Sequence, residues 1–330
     1  MKIFLTYDYE LFFGNPPGTA EKSILQPTEM LREIARRTNV KFGFFIDAGY
    51  LVKLNEFADH FPRVKEERDA IFSQINDLVA DGHSCDLHIH PHWEDCIHDG
   101  EQWIMRTDRY KLADFSDLEI EQIFTKYHQT LTSVTGYSSR VYRAGGWCIQ
   151  PFSRIKKAFD ASGILIDSTV FPGGKSVVGN YSYDFTKTPK KSSWKFDQDV
   201  CAEDAQGNFL EMPISSHYYN PLFFWKLFLL GRLDKHNHKP LGDGYPMPTP
   251  GLRKKMLSKG MLLSASTDGY FVTRLDEIIR QNVKRNFNEM VVLGHPKACT
   301  RYALKKLETF IDRNKNMHQF STFNELMLSS

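Results

Sequence analysis

Three histidines alternate with other residues in segment 82–93, which reads GHSCDLHIHPHW. If this segment leaves a β-strand, His88, His90 and His92 point to one side of the backbone, because side chains alternate along a strand. Neutral imidazole is the commonest metal-ligating side chain, and it suits a borderline-soft divalent ion such as Zn²⁺. A His-rich surface loop is the simpler interpretation, but CDLHI has the apolar character of a buried strand that Pro91 ends. The pattern therefore favours a metal site.

Other polar residues also follow directly after apolar runs. Asp8 and Glu10 are two residues apart at the end of the first run, so both can face one way, as a metal ligand and a general base would. Either carboxylate could instead cap a loop. Arg143 precedes a Gly-Gly turn, where its planar group could hold a carboxylate. The further candidates are Asp47, Asp167, Glu211 and His295.

The elements that must position these residues alternate between strand-like and helical patterns. Besides the strand that carries the histidines, apolar runs predict strands at 2–7, 40–46, 139–143, 163–167, 209–215 and 290–294. Among the helices between them, the one at about 116–134 has a capping serine at its start and Gly136 at its end. This alternation predicts a parallel α/β barrel of about seven βα units. Loops that follow parallel strands gather at one mouth of a barrel, so the polar residues there predict an active site.

The composition and charge of the chain are those of a globular protein rather than of a nucleic-acid-binding or membrane-spanning one. The chain has 330 residues, 41% hydrophobic and 25% charged, which is typical of a globular protein with a large core. A net charge of +2 gives no reason to expect a nucleic-acid partner. Five scattered cysteines without a CxxC pair predict reduced thiols in a cytoplasmic compartment. No signal peptide and no transmembrane helix are expected from the apolar runs.

Taken in order, these motifs resemble those of the polysaccharide deacetylases of the NodB-homology type, carbohydrate esterase family 4, whose fold is a distorted (β/α)7 barrel. The family's five motifs correspond, fully or in part, to Thr6-Tyr7-Asp8-Tyr9-Glu10, His88 with His92, Arg143-Ala144-Gly145-Gly146-Trp147, Asp167 and Leu293-Gly294-His295. The first is a DxE variant, and the second carries the extra histidine of an HxHxH pattern. Because the resemblance spans nearly the whole chain, we expect one such barrel domain over residues 1–330, with insertions at about 172–208 and 216–260.

The resemblance implies a metal-dependent deacetylase that hydrolyses the N-acetyl or O-acetyl group of a sugar. Its motifs assign Glu10, His88 and His92 as ligands of a divalent metal ion, and Zn²⁺ is the ion that we expect. Asp8 is then the general base, although the strand alone permits Asp8 and Glu10 to exchange roles. The resemblance further implies that His295 is the general acid and that Arg143 orients the base. It implies that Asp167 holds His295 in its charged form.

Substrate contacts are predicted around the same motifs. His90 is predicted to contact the substrate, with a third metal-ligating imidazole as the alternative. The other predicted contacts are Trp93, Gly145, Gly146 and Trp147. Two other functions stay open, namely a metal-dependent hydrolase of a non-sugar amide on the same barrel and a glycan-binding relative without catalysis.

The expected cytoplasmic location narrows the substrate to an acetylated sugar, a nucleotide-sugar or a lipid-linked glycan of surface polysaccharide assembly, either lipopolysaccharide O-antigen or capsule. Segment 221–233 is apolar, carries a tryptophan and has basic residues at and beyond its end. A helix buried against the barrel is the favoured interpretation of this segment. The alternative is an interfacial helix that contacts the inner face of the membrane.

Overall fold

Strands and helices alternate along residues 1–328, the part of the chain that the computed structural model describes. The strands are β1 (Lys2–Tyr9), β2 (Gly43–Asp47), β3 (Ser84–Ile89), β4 (Ile97–His98), β5 (Trp103–Ile104), β6 (Val141–Ala144), β7 (Ile166–Asp167), β8 (Lys175–Val178), β9 (Tyr181–Asp184), β10 (Trp194–Phe196), β11 (Phe209–Glu211), β12 (Ser216–Tyr219), β13 (Met261–Ser264), β14 (Glu289–Gly294) and β15 (Gln319–Phe320). The α-helices are α1 (Gln26–Thr38), α2 (Ala48–Ala58), α3 (Pro62–Ala80), α4 (Asp117–Thr135), α5 (Lys156–Ser162), α6 (Pro221–Leu233), α7 (Lys235–His238), α8 (Leu252–Lys259), α9 (Leu275–Lys284), α10 (Arg301–Asn314) and α11 (Phe323–Leu328).

Seven parallel strands form the wall of the barrel in the order β11-β7-β6-β3-β2-β1-β14. Strand β10 pairs antiparallel with β11, and β15 pairs with the start of β1. An isolated parallel bridge between Ile214 and Val291 links the segment after β11 to β14. A second bridge, between Ser266 and Leu293, attaches the segment after β13. The expected distorted (β/α)7 barrel is confirmed, with part of its wall held by single bridges.

The barrel strands form where the sequence is apolar without interruption. Every residue of β2 and β3 is buried, as is β1 apart from its first residue. Parallel strands covered by helices bury both faces, so they favour continuous apolar runs over alternation. Helix α4 begins where predicted, because Ser116 accepts a hydrogen bond from the backbone N–H of Glu119. It ends at Gly136, whose φ of 76° suits a glycine.

The two predicted insertions carry their own small elements. The first contains the antiparallel hairpin of β8 and β9, followed by β10. The second contains β12, α6, α7 and α8, and β12 pairs antiparallel with β13, just after the insertion, outside the barrel sheet. Along residues 1–328, no helix has the length and apolarity needed to cross a bilayer.

Candidate metal centre and catalytic cleft

The carboxyl ends of β1, β3, β6 and β14 bring the predicted site residues to one mouth of the barrel. His88 is paired in register with Asp47 on β2 and with Arg143 on β6. Residues in register on parallel strands point to the same side, so these side chains share the barrel interior. Glu10 and His295 directly follow β1 and β14, which are neighbours in the sheet. The strand-end prediction therefore located one cluster of polar residues.

Glu10, His88 and His90 form a compact cluster of metal-ligating atoms. Glu10 Oε2 lies 2.7 Å from His90 Nε2 and 3.2 Å from His88 Nε2. One ligand atom from each of the three residues lies within 4.8 Å of the others, and all three residues are buried. His88 Nδ1 lies 2.9 Å from the carbonyl oxygen of Arg143. Because a carbonyl only accepts, Nδ1 carries the proton, which leaves Nε2 of a neutral His88 free to ligate.

The charges around the cluster keep Glu10 ionised. Burial by itself would raise the pKa of Glu10, but Lys297, His90 and His88 together hold that pKa well below its usual range. Burial would lower the pKa of His88, whereas Asp8 and Glu10 raise it above its ordinary value. One carboxylate and two imidazoles match the donor sets of catalytic zinc sites, which keep open coordination positions. The residues present therefore fit a divalent metal ion.

His92 lies outside this cluster, contrary to the prediction that it ligates the metal. Strand β3 ends at Ile89, and Pro91 begins a 3₁₀ turn, so the alternation that would align the three histidines stops after His90. The His92 ring is buried and stacks on Tyr110, with ring centroids 5.6 Å apart. Burial lowers the pKa of His92 well below its ordinary value, so the ring is neutral. In the structure, His90 takes the place predicted for His92.

Asp8 is fixed by Arg143 on one oxygen. Arg143 Nη1 donates to Asp8 Oδ1 at 2.7 Å, and Arg143 Nε donates to the Ser168 carbonyl at 2.8 Å. The guanidinium carbon lies 3.8 Å from the ring centre of Phe45. Asp8 Oδ2 lies 3.8 Å from Nε2 of both His88 and His295. Arg143 thus orients Asp8 so that its second oxygen faces the cluster.

His295 is held by Asp268 rather than by Asp167. His295 Nδ1 lies 2.8 Å from Asp268 Oδ2, and the backbone N–H of His295 donates to Asp268 Oδ1 at 2.8 Å. Burial would lower the pKa of His295, but Asp268 raises it above its ordinary value. The prediction for Asp167 is wrong, because the Ser266–Leu293 bridge brings Asp268 beside β14. Asp268 follows the short strand β13 (Met261–Ser264), so the strand-end criterion, applied to this apolar run, could have found it.

Asp167 instead forms a buried carboxyl pair with Glu211. Asp167 and Glu211 are in register on β7 and β11, and Asp167 Oδ1 accepts a hydrogen bond from Thr169 Oγ1 at 2.6 Å. Burial raises the pKa of Asp167. Burial and the charge of Asp167 raise the pKa of Glu211 well above its ordinary value. The pair therefore retains a proton, and we place it on Glu211.

Substituting Glu211 by glutamine should change how stability depends on pH. A raised pKa in the folded state gives stability that is complete below the unfolded pKa of about 4.3 and is lost as pH rises through the folded pKa. A glutamine is neutral throughout, so Glu211→Gln should gain on the wild type by about 1.4 kcal/mol per pH unit above about pH 4.3, until the folded pair itself ionises. Thermal unfolding across this range measures the difference. Exposed Glu101→Gln is the control, and parallel curves for Glu211→Gln would contradict the shared proton.

Lys297 contacts the metal cluster and was not predicted. Its Nζ lies 2.8 Å from Glu10 Oε1 and 2.6 Å from the carbonyl oxygen of Leu11. It also lies 5.1 Å and 4.9 Å from the ring centres of Phe12 and Phe13. In the sequence, nothing distinguishes Lys297 from a solvated lysine. In the structure, its positive charge lies against a proposed metal ligand.

Replacing Lys297 by methionine should strengthen divalent-metal binding. The ammonium group repels a cation held by Glu10, and charges a few ångströms apart in a buried site interact by several kcal/mol. We expect the Kd for Zn²⁺ to fall by about tenfold or more. Competition with a chelator measures this Kd, with Lys305→Met on exposed surface as the control. Weaker binding by the Lys297 variant would instead mean that Lys297 orients Glu10 for ligation.

A cleft of about 590 Å³ opens over the cluster. Asp8, Glu10, His90 and His295 are among the residues that line it. Several aromatic side chains also line it, namely Phe12, Phe13, Tyr110, Trp147 and Tyr181. Gly146 and Trp147, two of the predicted substrate contacts, line this cleft. The cleft therefore combines reactive groups with aromatic surfaces.

Two predicted substrate contacts lie elsewhere. Trp93 is completely buried, and its Nε1 donates to Asp47 Oδ2 at 2.6 Å, so the prediction of a substrate contact there is wrong. Trp93 packs in the core because the 3₁₀ turn after His90 directs it inward against Tyr50. Gly145 is buried, and a Cβ built there would lie 2.4 Å from His90 Nδ1. Gly145 therefore leaves room for the His90 ring rather than for substrate.

Among solved structures, the chain is similar to a "putative polysaccharide deacetylase" from Mycobacterium smegmatis, with a TM-score of 0.51 and 15% identity over 98% of this chain and 88% of that one. A peptidoglycan N-acetylglucosamine deacetylase, Bc1960, gives a TM-score of 0.42 with 14% identity over 98% and 86% of the two chains. A family 4 carbohydrate esterase from Streptomyces lividans gives 0.41 with 10% identity over 97% and 92%. The last two scores are too low to support a conclusion.

No protein-family model and no curated protein matches the sequence. At 15% identity, the similarity to the M. smegmatis protein establishes the fold, and the fold expected from the motif resemblance is confirmed.

Proposed function

We propose that this protein is a metal-dependent hydrolase that removes an acetyl group from a sugar. One observation carries the proposal, which is the placement of Asp8 and His295 beside the cluster of Glu10, His88 and His90, each 3.8 Å from one of its members. A general base, a general acid and a three-residue ligand set then face one cleft, as acyl hydrolysis requires. The fold shared with the M. smegmatis protein supports the same reaction class.

The residues of the cleft divide the reaction between them. A divalent ion held by Glu10, His88 and His90 would polarise the acyl carbonyl and lower the pKa of water. Asp8, with one oxygen fixed by Arg143, takes the proton of the attacking water on its other oxygen. His295 presents Nε2 to the cleft because Asp268 holds Nδ1. His295 then gives a proton to the departing sugar amine or hydroxyl as acetate leaves.

The substrate class is proposed from the cleft and the motif resemblance. Aromatic rings of Tyr110, Trp147 and Tyr181 offer flat apolar surfaces to a sugar ring. We propose an acetylated nucleotide-sugar or lipid-linked glycan used in the assembly of a surface polysaccharide, O-antigen or capsule. We also propose a cytoplasmic location. The five cysteines are free and buried, which supports a reducing compartment.

A substrate screen tests the proposed reaction. Zinc-loaded protein and chelator-treated protein are compared on acetylated nucleotide-sugars, acetylated oligosaccharides and small non-sugar amides, with released acetate or amine as the readout. We expect acetate release from one or more acetylated sugars, lost with chelator and restored by Zn²⁺. Turnover of non-sugar amides alone would replace the proposal with the second hydrolase function. Stoichiometric metal binding without turnover of any substrate would overturn the hydrolase proposal.

A further inference from the structure

Helix α6 leaves one apolar face uncovered. Leu222, Trp225, Leu229 and Leu233 are 75%, 59%, 55% and 76% exposed. Their spacings of three, four and four residues place all four side chains on one side of the helix. We call these four residues the α6 stripe. Single exposed apolar residues are normal on protein surfaces, whereas a continuous stripe on one helix face indicates an interaction surface.

The opposite face of α6 packs normally, so the stripe is not the result of a loose helix. Phe223 and Phe224 are buried and lie in a small core with Tyr219 and Tyr270. Asn220 caps the start of the helix, and its side chain accepts a hydrogen bond from the backbone N–H of Phe223. The favoured expectation of a helix buried against the barrel is therefore correct for one face and wrong for the other.

Basic side chains flank the α6 stripe. On α6 itself, Lys226 and Arg232 are exposed, and helical periodicity places them on opposite edges of the stripe. Helix α8 lies alongside, because Trp225 Nε1 donates to the carbonyl oxygen of Leu257 at 3.2 Å. The exposed basic residues of α8 are Arg253, Lys254, Lys255 and Lys259. The stripe and these cations form one surface, which we call the α6–α8 face.

The charge of this region is segregated from that of the rest of the chain. Residues 221–260 contain eight Lys and Arg residues against two Asp, a net charge of +6, whereas the whole chain carries +2. The remaining residues therefore carry a net −4. None of the eight basic side chains forms a salt bridge within residues 1–328. The two acidic residues are engaged elsewhere, since Asp234 caps α7 and Asp243 bonds to Thr19.

We propose that the α6–α8 face docks the protein on a bilayer that contains anionic lipid. An interfacial helix buries an apolar face rich in Leu and Trp among acyl chains while basic residues at its edges meet anionic headgroups. Both features are present here, and no salt bridge within residues 1–328 has to break for these basic side chains to meet headgroups. A second copy of the chain is the less favourable occupant, because a symmetric contact would bring two +6 regions together.

Docking through this face would place the cleft near the bilayer. Pro246, Met247, Pro248 and Thr249 line the cleft, and α8 begins only three residues later, at Leu252. The rim of the cleft is thus continuous in the chain with the α6–α8 face. This consequence rests on the proposed function, since it favours lipid-linked glycan over a freely diffusing nucleotide-sugar. The docking itself does not depend on catalysis.

Vesicle flotation tests the docking with matched variants. We expect the wild type to float with vesicles of phosphatidylcholine and phosphatidylglycerol, to float much less with phosphatidylcholine alone, and to be released by salt. The double variant Trp225→Ser/Leu229→Ser should lose about tenfold or more of its partitioning. Lys254→Gln/Lys255→Gln should lose about tenfold or more on anionic vesicles only. Controls are Leu118→Ser, an equally exposed leucine on α4 at 66%, and Lys305→Gln.

The outcomes separate docking from the proposed activity. Each variant is first checked for unchanged thermal unfolding, and for unchanged metal binding, which does not involve this face. No flotation of the wild type on anionic vesicles, or undiminished flotation of the Trp225→Ser/Leu229→Ser variant, would overturn the proposal whether or not the protein is an active hydrolase. Light scattering of the lipid-free protein that shows a dimer lost in the same double variant would assign the stripe to self-association instead.

Discussion

Replacing His90 by alanine should abolish stoichiometric binding of a divalent metal, whereas His92→Ala should leave the Kd within severalfold of the wild type. The physical reason is the end of β3, after which the chain turns His90 toward Glu10 and His92 toward Tyr110. Loss of an outer hydrogen-bond partner of a ligand already costs roughly 10- to 100-fold in metal affinity, so loss of a ligand should cost more. Acetate release, if the proposed function holds, should fall with the metal.

Metal content after dialysis against buffered Zn²⁺, together with titration calorimetry, distinguishes the two histidines. His88→Ala is the positive control, because His88 belongs to the cluster by both sequence and structure. The stability of the metal-free proteins is compared by thermal unfolding, since all three side chains are buried. If His92→Ala lost the metal and His90→Ala kept it, His92 would be the ligand, as the motif spacing predicts, and the cluster seen in the structure would not be the metal site.

Asp268→Asn should move the alkaline limb of the activity profile to lower pH, whereas Asp167→Asn should leave the limb in place. His295 acts as a general acid only when it is protonated, so activity declines as pH rises through its pKa. The carboxylate of Asp268 raises the pKa of His295 above its ordinary value, which keeps the acid protonated at higher pH. An asparagine removes the charge, the pKa falls, and the decline begins earlier.

The expected loss for Asp268→Asn above neutral pH is between about 10²- and about 10⁴-fold in kcat/KM, the range that general acid catalysis supplies. The measurement is kcat/KM against pH for both variants on the substrate found by the screen. Asp268→Glu should recover part of the lost activity, because it restores the charge. If Asp167→Asn moved the alkaline limb and Asp268→Asn did not, the contact between Asp268 and His295 seen in the structure would not be the one that sets the pKa of His295 in catalysis.

The sequence alone was sufficient to predict the architecture. Parallel strands with helices outside are buried on both faces, so each leaves a continuous apolar run such as that of β2 or β3. Seven such runs predicted seven parallel strands, and the rule that active sites follow strand ends then predicted the cluster. Asp8, Glu10, His88, Arg143 and His295 lie together because each is at the end of its strand or directly after it.

The tertiary structure decided the partners of these residues. Whether His90 or His92 reaches Glu10 depends on where strand geometry ends, and a single residue changes the direction of the side chain. Asp268 reaches His295 through one isolated bridge, and Lys297 reaches Glu10 through a short turn. No periodicity in the sequence records either contact. The sequence left open whether the apolar segment of α6 is buried or interfacial, because such a segment shows which residues avoid water but not which neighbours cover them. Local patterns fix strands and their ends, whereas contacts between segments distant in the chain are fixed only by packing.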